Sequence, residues 1–176
     1  MVDMLRDDLL DRLQQLDEEA SLRFDGDGRF RIVIVGGGAL ILLEVIERAT
    51  HDMDALDVSP EIREMLEKYD INCRVQTYIN NFPYNYEDRL HRLPIDGDKI
   101  DFYTASLEDI VIAKLCSIRE TDRQDIIEDS VVSKIDWELL DKLAKNDDEI
   151  KANMLNDRNY KDFLSAYAEY VRIYRR

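Results

Sequence analysis

The chain has 176 residues, 36% charged and 45% hydrophobic, with 39 acidic against 24 basic side chains and a formal net charge of -15. That length suits one domain with room for a helical appendage, and the mixture suits a folded chain rather than a disordered one. The acid excess disfavours broad, sequence-independent nucleic-acid binding, which needs Lys and Arg on phosphates, so bulk duplex DNA is not expected as a partner, although a local basic pocket is compatible with it.

In chain order, Leu5, Leu9, Leu10, Leu13 and Leu16 recur at helical spacing, so residues 3–20 are expected to form an amphipathic helix. Asp25 to Gly28 is a turn. It has the look of half a calcium loop, but an apolar strand follows where further ligands would be needed. Ile32 to Val35 predicts a strand, three glycines a turn, and Ala39 to Ile46 a helix. Ser59 and Pro60 open a helix to about Tyr69, with Ser59 as cap and Pro60 at the first helical position. Residues 71–86 carry no clear pattern. Arg89 to Leu93 and Lys99 to Tyr103 flank Pro94 to Asp98 and predict a hairpin.

Ser106 with Asp109 resembles a capping box. Beyond it Leu107, Ile110, Val111, Leu115 and Ile118 form one stripe, and Lys114 falls on it. A lysine there either snorkels to the edge or meets a partner anion. Further helices are expected over Thr121 to Ser133, over Trp137 to Lys145, and along a stripe of Tyr160, Phe163, Leu164, Tyr167, Val171 and Tyr174. Strands in the middle and helices at both ends predict an α+β fold, with a core in residues 1–105 and a helical C-terminal part, residues 106–176, packed on it.

The stretch from Arg31 to Asp57 holds the candidate chemistry. Strand side chains alternate, so Asp52 and Asp54 share a face with Thr50, about 6.6 Å apart along the strand, while His51, Met53 and Ala55 point the other way. Paired carboxylates are costly unless a cation or solvent compensates them. Beside a glycine turn they suit a phosphate chain and its divalent metal. A P-loop would need Gly-Lys-Ser/Thr after the glycines, but Ala39-Leu40-Ile41 follows. A dinucleotide fingerprint would need its third glycine at Ile41. The bland reading is a tight strand-to-helix turn with exposed acids.

Gly36-Gly37-Gly38-Ala39-Leu40 followed by Arg48-Ala49-Thr50-His51-Asp52-Met53-Asp54 resembles the nucleotidyltransferase superfamily, and most closely the bacterial branch containing the abortive-infection (type IV toxin–antitoxin) toxins. A second block of that branch matches Ser106 to Asp109, Lys114-Leu115 and Asp122 to Ile126. The likeness spans residues 30–130. It implies a nucleotidyltransferase-type small mixed sheet flanked by helices. It also implies a magnesium-dependent transferase that moves a nucleoside monophosphate from a nucleoside triphosphate to an acceptor.

By this resemblance Asp52, Asp54, Lys114 and Asp125 are the catalytic set. Gly36, Gly37, Gly38, Arg48, Thr50 and Lys114 bind nucleotide. One or two Mg2+ ions sit on Asp52 and Asp54, with Asp101 as the candidate third carboxylate; its bland reading is a hairpin surface acid. A tRNA end or a protein as acceptor, an antitoxin partner, and a toxin–antitoxin or phage-defence role are likewise implied by resemblance only. The alternatives are a non-catalytic relative kept for nucleotide sensing or partner binding, and a dinucleotide-binding protein.

Lys114 and Asp125 would lie about 16 Å apart on one unbroken helix, so they act together only if the chain bends near Glu120-Thr121. Arg48 either holds the acid strand or touches substrate. His51 is expected to pack, and Cys73 and Cys116 to be buried small residues. Two cysteines without CxxC spacing fit a reduced compartment. No apolar run reaches membrane-span length and the start lacks a signal-peptide pattern, so a cytoplasmic protein with no membrane partner is expected.

Overall fold

The computed structural model describes residues 3–74, 79–154 and 156–176; residues 75–78, within the unpatterned stretch 71–86, lie outside the described residues. The chain forms two compact units, Met1–Val75 with Leu90–Ala105 and Gln76–Arg89 with Ser106–Arg176.

The first unit contains α1 (Arg6–Arg23), β1 (Phe30–Val35), α2 (Gly36–Leu42), β2 (Met53–Leu56), α3 (Arg63–Lys68), β3 (Ile71–Asn72), β4 (His91–Arg92) and β5 (Ile100–Thr104). The strands make one mixed sheet in the order β3-β2-β1-β5-β4. β1 runs antiparallel to β2 and parallel to β5. The hairpin expected around residues 94–98 is present, with His91 opposite Thr104 and Arg92 opposite Tyr103.

α1 buries Leu9, Leu13 and Leu16 completely, as their spacing predicts, and Ala20 with them, while Leu10 is half-buried and Leu5, which precedes the first turn, is 58% exposed. It also buries Asp17, whose carboxylate accepts hydrogen bonds from the backbone N–H groups of Asp98, Lys99 and Ile100 at 2.7–2.8 Å. That carboxylate joins α1 to the start of β5. Gly97 is required beside it, because a Cβ there would sit 2.8 Å from Asp17 Oδ1 and 2.5 Å from the Ile100 carbonyl oxygen.

α2 begins directly at the end of β1, with no separate turn, and stops at Leu42 rather than running to Ile46. It ends in a Schellman arrangement: Glu44 takes φ 59°, its N–H donates to the Ile41 carbonyl and that of Val45 donates to Leu40, both at 3.0 Å. The helix predicted from Ser59 opens as a 3-10 turn over Pro60–Ile62. Ser59 does not cap it; its hydroxyl bonds Glu61 instead.

The second unit is helical: α4 (Leu107–Leu115), α5 (Glu120–Ile127), α6 (Asp129–Val132), α7 (Trp137–Ala144), α8 (Asp147–Asn153) and α9 (Asp157–Tyr174). Ser106 caps α4, accepting from the Asp109 N–H at 3.1 Å. Arg89 grips the buried Asp109 carboxylate through two bonds of 2.9 Å. The single helix expected over residues 121–133 is broken at Glu128, whose backbone is extended at φ -61°, ψ 135°. Ile118, expected on the buried stripe, is 96% exposed because α4 ends three residues before it.

α9 buries Tyr160, Phe163 and Tyr167 of the expected stripe and Tyr170 beside it, while Leu164, Val171 and Tyr174 are half-buried. Tyr160, Tyr167 and Tyr170 are core residues, and two of their hydroxyls donate within the unit: Tyr170 to the Ile126 carbonyl and Tyr167 to Asp141. The α+β architecture is therefore as expected, a five-stranded mixed sheet with flanking helices and a helical C-terminal part, consistent with a nucleotidyltransferase-type fold. Among the described residues no helix is long and apolar enough to cross a membrane.

Candidate active site

The register of β1 against β2 sets Val35 opposite Asp54, so the carboxylate arrives where β1 hands over to α2. Gly36 turns the chain there at φ +67°, and a Cβ on it would lie 3.3 Å from Asp54 Oδ2. Both facts favour glycine: the left-handed conformation disfavours a side chain, and a Cβ would push the Asp54 carboxylate aside by a few tenths of an ångström. Gly38 serves packing, since its Cβ would meet Met53 Cγ at 3.1 Å.

Met53 is buried between exposed Asp52 and half-buried Asp54, the alternation expected of an extended segment. The regular strand begins only at Met53, so Asp52 lies one residue outside it. Asn72 on β3 donates to Asp54 Oδ1 at 3.0 Å. The sequence carries no signal for Asn72, because parallel pairing of β2 with β3 creates the contact.

Thr50 is held by reciprocal backbone bonds with Met4 at 2.8 and 3.0 Å, and its hydroxyl donates to the Asp52 carbonyl at 3.1 Å. Arg48 is exposed. His51, expected to pack, is exposed instead, with Nδ1 3.0 Å from Asp3 Oδ1.

Asp101 is not brought to this pair. It stands opposite Arg31, four residues along β1 from Val35, which is about 13 Å. Arg29 holds it in a fork of 3.0 and 2.7 Å bonds, and Arg92 adds another at 3.2 Å. The Arg29 bonds keep its carboxyl below the ordinary range against the opposing effect of burial. The third carboxylate expected from Asp101 is therefore not supplied at Asp54; its surroundings are those of a hairpin surface acid. Among the described residues no group of three or more His, Cys, Asp or Glu could hold a metal ion.

In the second unit the chain bends between α4 and α5, and the bend brings Lys114 and Asp125 together. Lys114 Nζ lies 2.9 Å from Asp125 Oδ2 and 2.7 Å from Asp122 Oδ1, with all three side chains at most 8% exposed. Of the two readings for a lysine on an apolar stripe, the partner anion is the one found, and the partners are two. Ser117 Oγ donates to Asp122 Oδ2 at 2.6 Å. Burial pushes the Asp122 carboxyl up, but the bonds from Lys114 and Ser117, with the charges of Lys114 and Arg119, outweigh it and hold it below its ordinary value. The expected neutraliser of phosphate charge is thus a lysine already balanced within its own unit.

Neither cysteine has the character of a nucleophile. Burial pushes the Cys73 thiol up to about 11 and the Cys116 thiol up to about 12, so both stay protonated near neutrality.

A family model described as "Nucleotidyltransferase of unknown function (DUF6036)" matches residues 11–175. No curated protein and no solved structure matches the chain significantly.

Proposed function

The chain belongs to the DUF6036 family of nucleotidyltransferases of unknown function, and from that premise we propose that it transfers a nucleoside monophosphate from a nucleoside triphosphate to an acceptor hydroxyl. The observation that carries the proposal is the Asp54 carboxylate lying against the Gly36 backbone at the strand-to-helix junction, with exposed Asp52 two residues earlier. The first turn of α2 leaves backbone N–H groups without intrahelical acceptors. In the proposal those of Gly36, Gly37 and Gly38 meet phosphate oxygens. Thr50 fixes the segment bearing Asp52, Asn72 fixes the Asp54 carboxylate, and Arg48 is the exposed cation on the approach.

The donor set fits Mg2+, which takes hard oxygen ligands and is commonly held by one or two carboxylates together with substrate phosphates. Asp52 and Asp54 would hold it, and when bound it would neutralise triphosphate charge and favour the deprotonated acceptor hydroxyl. Lys114 and Asp125 act as positioning residues: with Asp122 they fix the bend between α4 and α5.

The resemblance to the abortive-infection branch attaches a toxin–antitoxin or phage-defence setting, with an antitoxin protein as partner and a tRNA end or a protein as acceptor. A second reading, a non-catalytic relative that senses nucleotide or binds a partner, is favoured by the engagement of Asp101 with Arg29 and Arg92 rather than with the Asp54 site.

One experiment separates them. The full chain is incubated with each labelled triphosphate, Mg2+, and either bulk tRNA or cell protein. Label transfer is expected, and Asp52→Asn and Asp54→Asn should each abolish it with the circular dichroism spectrum unchanged. Undiminished transfer by either purified variant removes the two-aspartate proposal, and no transfer to any acceptor favours the non-catalytic reading.

A further inference from the structure

The second unit contains a cavity of about 460 Å³ lined by Asn80, Asn81, Ser117, Arg123, Asn159 and Asp162, with Leu115 and Phe163 among its apolar walls. None of these residues belongs to the glycine–aspartate site. The volume is that of an ordinary small-molecule site, and polar and apolar residues share its wall about equally.

Three observations suggest what would fill it. First, Arg123 is exposed and forms no ion pair among the described residues, although the chain has 39 acids and Asp162 lines the same cavity. Asp162 leans on Arg158 at 4.0 Å instead. A guanidinium and a carboxylate that share a cavity without closing on each other leave room for a ligand with an anionic end and an N–H donor. Second, three asparagine carboxamides each offer a donor and an acceptor, the groups that read the edge of a planar heterocycle. Third, Ile118 in the cavity lining is 96% exposed, an apolar surface that a flat ring would take out of water.

The lining is also preformed. Ser117 Oγ donates to Asp122 at 2.6 Å and accepts from the Arg119 N–H at 3.1 Å, and Asp122 is tied in turn to Lys114. The buried ion network therefore fixes the chain segment that forms one side of the cavity.

We propose that this cavity binds a free mononucleotide, its phosphate on Arg123 and its base edge on the asparagines and Asp162. An acceptor such as Asp162 favours bases with an exocyclic amino group, so adenine, guanine or cytosine are preferred over uracil. The proposal does not depend on the transfer reaction.

The test is equilibrium titration of the full chain with AMP, GMP, CMP and UMP in EDTA, which suppresses metal-dependent binding elsewhere. At least one of the first three should bind tenfold or more tighter than UMP. Arg123→Ala and Asn159→Leu, both at exposed positions, should each weaken that binding tenfold or more with unchanged melting temperature, and Asp54→Asn should leave it intact. Absence of saturable binding overturns the proposal, as does equal affinity for all four. So does binding that is lost in Asp54→Asn but kept in Arg123→Ala, which moves the ligand to the glycine–aspartate site. Saturation by free amino acids and by no mononucleotide also overturns it, in favour of a zwitterion site.

Discussion

At Gly36 a positive φ and a carboxylate 3.3 Å from the missing Cβ coincide. Gly36→Ala should cost about 1–2 kcal/mol for the left-handed backbone alone, and it should displace Asp54. Gly28→Ala is the control, since nothing lies within 4 Å of its Cβ position. Thermal melts showing equal losses for the two variants would remove the strain argument. Lys114 makes a different prediction. Leaving Asp122 and Asp125 buried without their cation should cost about 3–5 kcal/mol, so Lys114→Ala is expected to be strongly destabilised at neutral pH. Because the folded Asp122 carboxyl lies below its ordinary value, the stability it contributes is present above about pH 4 and is lost as pH falls through the folded value. The deficit of Lys114→Ala should therefore narrow in acid, and urea titrations across pH that show a constant deficit would refute the ion-pair account. Short-range alternation made the burial of Met53 between Asp52 and Asp54 legible, but the glycines open α2 instead of forming a separate turn, and the regular strand begins one residue after Asp52. The sequence misplaced Asp101 because strand register, not hairpin position, decides which acids meet. It was silent on Asp122 as the second partner of Lys114, because that contact depends on a bend whose geometry no local pattern states.

At the scale of elements, α1 is anchored by a polar group as much as by its leucines. Asp17 accepts three backbone bonds from residues 98–100, and hydrogen bonds to a charged group contribute more than neutral ones. Asp17→Ala should cost on the order of 3–5 kcal/mol, comparable to truncating the fully buried Leu13 to alanine. Urea denaturation measures both, and a loss below about 1 kcal/mol for Asp17→Ala would mean that water takes over the three donors. Helical periodicity revealed α1, α4, α7 and α9 but carries no signal for the role of Asp17, since its partners lie some eighty residues away. The hairpin of β4 and β5 was legible from its turn residues. The boundaries that shifted did so for local backbone reasons: Glu44 in the left-handed region ends α2 early, and extended Glu128 splits the helix expected over residues 121–133. α8 went unseen because seven residues give too few turns for a periodic signal.

For the whole molecule the governing quantity is the net charge of -15. A long polyanion is repelled by such a field except where cations gather locally. Arg119 and Arg123 are exposed at the start of α5, and Arg172, Arg175 and Arg176 are exposed at the end of α9. A nucleic-acid acceptor, if that is what the transferase proposal requires, would meet at most five phosphate-neutralising arginines at these two helix ends. Each phosphate neutralised on a duplex contributes a slope of about -0.9 in log affinity against log salt, and about -0.7 on a single strand. A short acceptor end that uses two or three of these arginines should therefore show a slope of only about -2, whereas a duplex-coating protein shows several times that. Random duplex DNA should not be bound at all. Mobility shifts with a tRNA, a short single strand and random duplex across a salt series measure the three slopes directly. Tight duplex binding with a steep slope would show that the acid excess does not govern this surface and would place the protein among nucleic-acid-binding classes. Absence of binding to all three would leave a protein or small molecule as the acceptor that the transferase proposal must supply.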